Sequence, residues 1–374
     1  MTQDSPIRVA HVMGKMLGGG VESVVMNYYR HIDRKRVQFD FLVDEDSTVV
    51  PRQEIESFGG RVFEVPPYQY SVAYGRALEG LFKSERWPIV HSHINALSVF
   101  PLRSAKRVGV PVRIAHSHST GGKGEHVKNV AKTVLRKFSN VYPTHRFACS
   151  RYAGEWLFGK DANFEVVYNA IELERFAFNA DIRANMRADL GLDNDAFVVG
   201  HVGRFMPQKN HDFLIGVFAE LVNLRPDSVL LCVGNGELRS AVEASVADRG
   251  LSDKVMFLGQ RGDVNQFYQV FDAFVLPSLY EGLCLVGIEA QVAGLPCFLS
   301  DRITREVNVT GTVRFLPIED VRAWVEALAS LNAQGRPPFC PSSFSNYDIL
   351  HAASRLAGMY EFFSGIQDPN SATA

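Results

Sequence analysis

The chain has 374 residues, 46% hydrophobic and 21% charged, with a formal net charge of −2. That length exceeds one ordinary core and fits two α/β domains, while the composition excludes disordered and fibrous classes. No apolar run has the length of a membrane span, and five scattered cysteines without a C-x-x-C pair exclude a disulfide or zinc framework.

The polar start, Met1 to Pro6, leads straight into a strand-like run, so no secretory leader is expected and the cysteines read as reduced thiols of a cytoplasmic protein. In chain order the strand-like runs of the first half are Ile7–Met13, Phe39–Val43, Arg61–Val65, Ile89–His93, Val112–His116, Arg146–Ser150 and Phe164–Val167. Helical segments such as Val21–Ile32 and Leu97–Val108 separate them, the pattern of a parallel sheet covered by helices. The alternation restarts at Phe197–Gly203 and runs through Val229–Val233, Val255–Gly259, Ala273–Pro277, Pro296–Ser300 and Val313–Leu316. Between the halves, the polar stretch Ile171–Asn194 reads as an interdomain connection. A proline-rich patch (Pro337, Pro338, Pro341) precedes a last helical segment, Asp348–Phe363, and a polar tail.

The expected architecture is α/β: two Rossmann-like, doubly wound parallel-sheet domains facing a cleft. The first spans 1–180 and the second 181–345, with a C-terminal helix in 346–374 packing back on the first. Open α/β sheets bind ligands beyond the carboxyl ends of their strands, so chemistry is sought in the strand-to-helix loops.

Gly18-Gly19-Gly20 follows the first strand, where glycines let backbone N–H groups approach a ligand; a flexible connection is the alternative. The spacing is not G-x-G-x-x-G, which argues against a Rossmann dehydrogenase. Asp44-Glu45-Asp46 imitates a D-x-D metal motif but reads as a solvated acidic turn, and no metal or other cofactor is expected. His118, just after Val112–His116, is the histidine best placed for a ligand hydroxyl; His116, His91 and His93 are weaker candidates. Lys123, Lys128, Lys132, Arg136, Lys137 and Arg146 punctuate an apolar helix-like stretch. It reads as a surface helix or as a peripheral contact with anionic lipid at the inner membrane face. Residues 1–170 hold 23 Lys and Arg against 16 Asp and Glu, and the remainder holds 16 against 25. An acidic second half speaks against nucleic acid.

Two loops of the second half carry the strongest signal. Gly203-Arg204-Phe205-Met206-Pro207-Gln208-Lys209-Asn210 leaves a strand and enters a helix, and Arg204 and Lys209 suit a diphosphate. Each cation within ~4 Å of a phosphate oxygen contributes up to ~4 kcal/mol at an effective dielectric near ~20, before desolvation. Glu281-Gly282-Leu283-Cys284-Leu285-Val286-Gly287-Ile288-Glu289 follows Ala273–Pro277 and leads into a helix at Ile288. Its glycines offer free amides, and its carboxylates accept bonds from sugar hydroxyls; the rival reading is a solvated Glu281 and a Glu289 favouring a helix N-terminus.

Arg204, Lys209 and the Glu281-x7-Glu289 pattern resemble the donor site of glycosyltransferase family 4, retaining enzymes of the GT-B fold. The segments Val167-Tyr168-Asn169-Ala170-Ile171-Glu172, Gly234-Asn235-Gly236 and Ala293-Gly294-Leu295-Pro296 match that family in order, so the resemblance covers nearly the whole chain. Ala115-His116-Ser117-His118-Ser119-Thr120 and Glu155-Trp156-Leu157-Phe158-Gly159 are similar to bacterial members that build exopolysaccharide or capsule. The resemblance implies transfer of a hexosyl unit from a nucleotide diphosphate sugar, expected to be a UDP-sugar, to a glycan or lipid-linked acceptor. Arg204 and Lys209 would hold the pyrophosphate, Glu289 the ribose hydroxyls, and Glu281 the transferred sugar. Gly282, Leu283 and Cys284 would lie beside the phosphates, Gly19 and Gly20 beside the donor phosphate and acceptor, and His118 beside the sugar. Family members often carry an aromatic residue where Cys284 stands, which departs from the usual sugar pocket. A nucleotide-sugar epimerase and a non-catalytic nucleotide-sugar sensor are the rival functions.

Overall fold

The computed structural model describes residues 5–118, 135–193, 195–331 and 335–365. The chain divides into two compact units, Met1–Ile171 with Asn346–Ala374, and Glu172–Ser345.

The first unit holds seven parallel strands: β1 (Ile7–Gly14), β2 (Val37–Asp44), β3 (Arg61–Val65), β4 (Ile89–Ser92), β5 (Val112–Ser117), β6 (His145–Ala148) and β7 (Glu165–Val166). Their order is β3-β2-β1-β4-β5-β6-β7, so the winding reverses between β1 and β4. β2 is buried along its whole length and β1 nearly so, as expected of central strands with helices on both faces. Leu78, Phe82, Trp87, Leu102 and Ala105 pack one side of this sheet. β2 also buries a charge. Asp40 is fully enclosed, bonded by Arg8 (3.0 Å), Arg61 (2.6 Å) and the Trp87 indole (2.7 Å). Burial alone would raise its pKa, but these donors outweigh it and hold the carboxyl below its ordinary value.

The second unit repeats the plan with β8 (Phe197–Val202), β9 (Ser228–Val233), β10 (Val255–Gly259), β11 (Ala273–Leu276), β12 (Cys297–Ser300) and β13 (Arg314–Leu316). The order is β10-β9-β8-β11-β12-β13, with the reversal between β8 and β11. Phe197, Phe218, Leu221, Leu230 and Trp324 belong to its core.

Three sequence expectations shift. The stretch 171–194, read as a connection, contains the helices Leu173–Phe176 and Ala180–Asp189, and the division falls at Ile171/Glu172 rather than 180/181. Its polarity has a structural use. Asn179 caps the second helix by accepting from the Asp181 and Ile182 amides, and Arg183 spends one nitrogen on the carbonyls of Gln269, Val270 and Phe271 at the end of the helix Val264–Val270. The helix expected from Ile288 begins three residues earlier, as Leu285–Val292. Glu289 therefore stands in its second turn, not at its N-terminus. Finally, Asp44 ends β2 and is 3% exposed, so it is no solvated turn residue.

The chain leaves the first unit and returns beside the point of exit: Ile171 bonds to Tyr347 and Ile349 through its own amide and carbonyl. The helix Ile349–Phe363 then packs with the first unit through buried Tyr360 and an Arg36–Glu361 ion pair. No helix among the described residues is long and apolar enough to cross a membrane.

Candidate functional site

In the second unit both signal-bearing loops leave the strands flanking the winding reversal, Gly203–Asn210 after β8 and 277–284 after β11. Adjacent parallel strands whose connections depart in opposite directions open a crevice at their carboxyl ends. Lys209 Nζ lies 2.7 Å from Glu281 Oε1, with both side chains largely enclosed. The two residues expected to act on different parts of a donor thus form one ion pair. Gln208 completes it, donating to Glu281 Oε2 at 3.1 Å and to the Tyr280 carbonyl at 2.8 Å. Arg204 is exposed and has no hydrogen bond or ion pair among the described residues, which leaves its fork available to an anion.

The β8 loop is held from the neighbouring strand. Phe205 is fully buried, its amide donating to the Asn235 carbonyl and its carbonyl accepting from Leu238. Gly234 makes this approach possible: its φ is +141°, and a Cβ there would lie 2.1 Å from the Gly203 carbonyl oxygen. The Gly234-Asn235-Gly236 segment is therefore the buttress of the cation-bearing loop.

Glu289 is held by Tyr268, whose hydroxyl donates to Oε2 at 2.7 Å; its other oxygen has no partner among the described residues. Burial pushes the Glu289 carboxyl up to about 7, opposed by that hydroxyl. Gly282, Leu283 and Cys284 are buried. Burial raises the Cys284 thiol to about 12, which keeps it protonated.

In the first unit the glycine loop is capped from within. Glu22 accepts from the amides of Gly19 and Leu17, the latter at 2.9 Å, before the helix Gly20–His31 begins. Gly20 remains open, with free space where a Cβ would stand. The Gly-x-x-Glu spacing of a capping box was the available signal for Glu22.

His118 joins a row of buried histidines drawn from three strands. Its Nε2 lies 2.9 Å from His93 Nδ1, and His93 Nε2 lies 2.9 Å from His11 Nδ1. Beside them His91 contacts the Tyr360 hydroxyl at 2.6 Å and His116 at 3.1 Å. Burial lowers every one of these pKa values, His11 and His118 to about 3, with Asn169 opposing the shift at His118. Held that low, the His118 ring is a neutral hydrogen-bonding group at pH 7. The sets His11, His91, His93 and His93, His116, His118 bring ring nitrogens within 4.8 Å of one another, the spacing a metal would require, although hydrogen bonds within the row already engage several of them.

Gln208 and Tyr268 carry no sequence signal, because nothing in a local window marks a side chain that meets its partner tens of residues away. Lys123, Lys128 and Lys132 lie outside the described residues; Arg136 stacks its guanidinium 4.6 Å above the Trp156 ring.

Comparison with known proteins gives the family and the fold. The family model for glycosyl transferases group 1 matches residues 182–335, and that for the glycosyl transferase 4-like domain matches residues 19–170. A candidate glycosyltransferase, EpsF, of Bacillus subtilis (strain 168) is 38% identical over 343 residues, covering 88% of this chain and 89% of that protein. The UDP-Gal:alpha-D-GlcNAc-diphosphoundecaprenol alpha-1,3-galactosyltransferase of Escherichia coli is 28% identical over 79% of this chain and 80% of its own. Anabaena HepE, solved with UDP and glucose, superposes with a TM-score of 0.76 at 17% identity, covering 95% of this chain and 99% of that one. With two parallel sheets, a cation-bearing loop and a carboxylate-bearing loop at the reversal of the second, and relatives matching both halves, the chain belongs to glycosyltransferase family 4, has the GT-B fold and is a glycosyltransferase.

Proposed function

We propose that the protein moves a hexosyl unit from a nucleotide diphosphate sugar, a UDP-sugar, to a glycan or lipid-linked acceptor in cell-surface polysaccharide biosynthesis, with retention of configuration. The observation that carries this reading is the Lys209–Glu281 pair, with Arg204 on the same β8 loop, at the reversal of the second sheet. Arg204 and Lys209 supply fixed positive charge where the diphosphate departs, so no metal is needed. Such preorganised charge stabilises the transition state without reorganisation. Glu281 anchors the ammonium and faces the sugar, while the free oxygen of Glu289 accepts from ribose hydroxyls. The sugar–phosphate bond breaks as the acceptor oxygen bonds to the anomeric carbon, and the acceptor's proton passes to the leaving phosphate oxygen on the same face. Retention rests on the family resemblance. The UDP-sugar and the acceptor class draw support from the names of the E. coli relative and of the HepE structure.

The test is nucleoside diphosphate release from UDP-, GDP- and ADP-sugars, with and without bacterial lipid extract and chelator. Lipid-dependent, chelator-insensitive release from one donor is expected. Donor conversion without any acceptor would indicate an epimerase instead, and tight donor binding without turnover a sensor.

A further inference from the structure

The first sheet has its own crevice where its winding reverses. A pocket of about 420 Å³ opens there, lined among others by Lys15, Asp44, Asp46, Tyr68, Tyr74 and Asn95, a size within the range of small-molecule sites. Asp44 is its anomaly. The residue is 3% exposed, and its carboxylate makes no hydrogen bond or ion pair with any described residue. The neighbouring Asp46 instead holds Lys15, at 2.6 Å. A buried carboxylate without donors is costly, so its retention calls for a ligand that brings them.

The lining says what kind. Among the described lining residues, Asp44 and Asp46 against Lys15 leave this side of the pocket net negative, which disfavours a phosphate or carboxylate beside them. Glu22 also lines the pocket, its charge already spent on the glycine-loop amides. A carboxylate accepts two hydroxyl donors at once, the pattern of a sugar's neighbouring hydroxyls. Tyr68, stacked on Phe100 at 6.2 Å, adds an aromatic surface for the C–H face of a ring.

We infer that Asp44 is a specificity-determining residue: it receives the hydroxyls of an uncharged sugar in this pocket, and the wall rejects glycosyl groups bearing a carboxylate or phosphate. The occupant's being a sugar rests on the function proposed above.

The test uses the full chain without donor, titrated by calorimetry with neutral methyl hexosides and N-acetylhexosaminides, the matching methyl hexuronides and hexose 1-phosphates. At least one neutral glycoside is expected to bind saturably, its charged counterparts at least tenfold more weakly. Asp44→Leu should weaken the neutral glycoside at least tenfold with UDP affinity unchanged, and Asp44→Asn should bring neutral and charged forms within about threefold. Equal or tighter binding of the charged forms to the wild type overturns the inference and needs no variant to do so. Failure of every neutral glycoside to bind overturns it too, as do variants with wild-type affinity. Loss of UDP binding by the wild type, with glycoside binding intact, breaks the proposed function instead.

Discussion

The two sheets share a winding plan and carry opposite electrostatics at their reversals. In the second, an exposed Arg204 stands on the same loop as Lys209, which is largely enclosed and paired with Glu281 at 2.7 Å. In the first, titratable groups are enclosed: a histidine row that burial keeps neutral, and an Asp44 carboxyl that burial and nearby Asp46 raise to about 6. On the two readings proposed above, one topology serves an anion receptor in one unit and a site for uncharged, hydroxyl-bearing groups in the other. Strand order chooses the place, and the loop side chains choose the ligand.

The largest effect that sharpens this contrast is expected at the cations. Lys209→Ala should lower kcat/KM for the donor by about 10²–10³, the usual cost of removing a transition-state charge donor. Arg204→Ala should act in the same direction while leaving thermal stability within ~0.5 kcal/mol, because its side chain is exposed and makes no ion pair among the described residues. Steady-state nucleoside diphosphate release measures both, and turnover within threefold of wild type in either variant would remove the phosphate site from the second unit.

Next comes the histidine row. His93→Leu leaves His11 Nδ1 and His118 Nε2 without their partners and should cost the first unit about 2–3 kcal/mol, read as lost amide protection by hydrogen exchange. The same row predicts acid lability. A histidine whose folded pKa is about 3 against an unfolded value near ~6.5 contributes stability that is complete above the unfolded value and is lost as pH falls toward 3. Protection of the first unit should therefore decline between pH 6.5 and 5; equal protection at pH 7.5 and 5 would show the row is not held neutral.

The smallest effect concerns Glu289, whose shift has the opposite sign. With a folded pKa of about 7 against 4.5, its contribution to stability diminishes as pH rises from 4.5 to 7, while its ionised form is the better acceptor for ribose hydroxyls. UDP affinity should rise by up to about tenfold from pH 6 to 8. Tyr268→Phe, which removes the hydroxyl that lowers this pKa, should move the midpoint to higher pH. A pH-independent calorimetric affinity would exclude Glu289 from the nucleotide site.

Local pattern revealed much of this molecule. The run of apolar strands and amphipathic helices marks two sheets because burial on both faces makes central parallel strands uniformly apolar. The Arg204–Lys209 and Glu281–Glu289 loops stand out because polar and glycine-rich turns interrupt those runs at a fixed place, the end of a strand. Polar stretches misled twice. Ile171–Asn194 looked like a connection because Asn179 caps the helix that follows it and Arg183 caps a helix end that lies far along the chain, and Asp44 looked solvated because acidic runs usually are.

What the sequence by itself determined, then, is the fold class and the family, together with the loops to which chemistry is assigned in the proposed function, each written in a short window of periodicity or motif. Only the tertiary structure decided that Lys209 meets Glu281 across 72 positions, that histidines of β1, β4 and β5 share one buried row, and that Asp44 is enclosed beside a pocket. The reason is that strand order and register are set by which faces bury together across the whole chain. A side chain's partner, and hence its charge state, follows from that global arrangement and not from its neighbours in sequence.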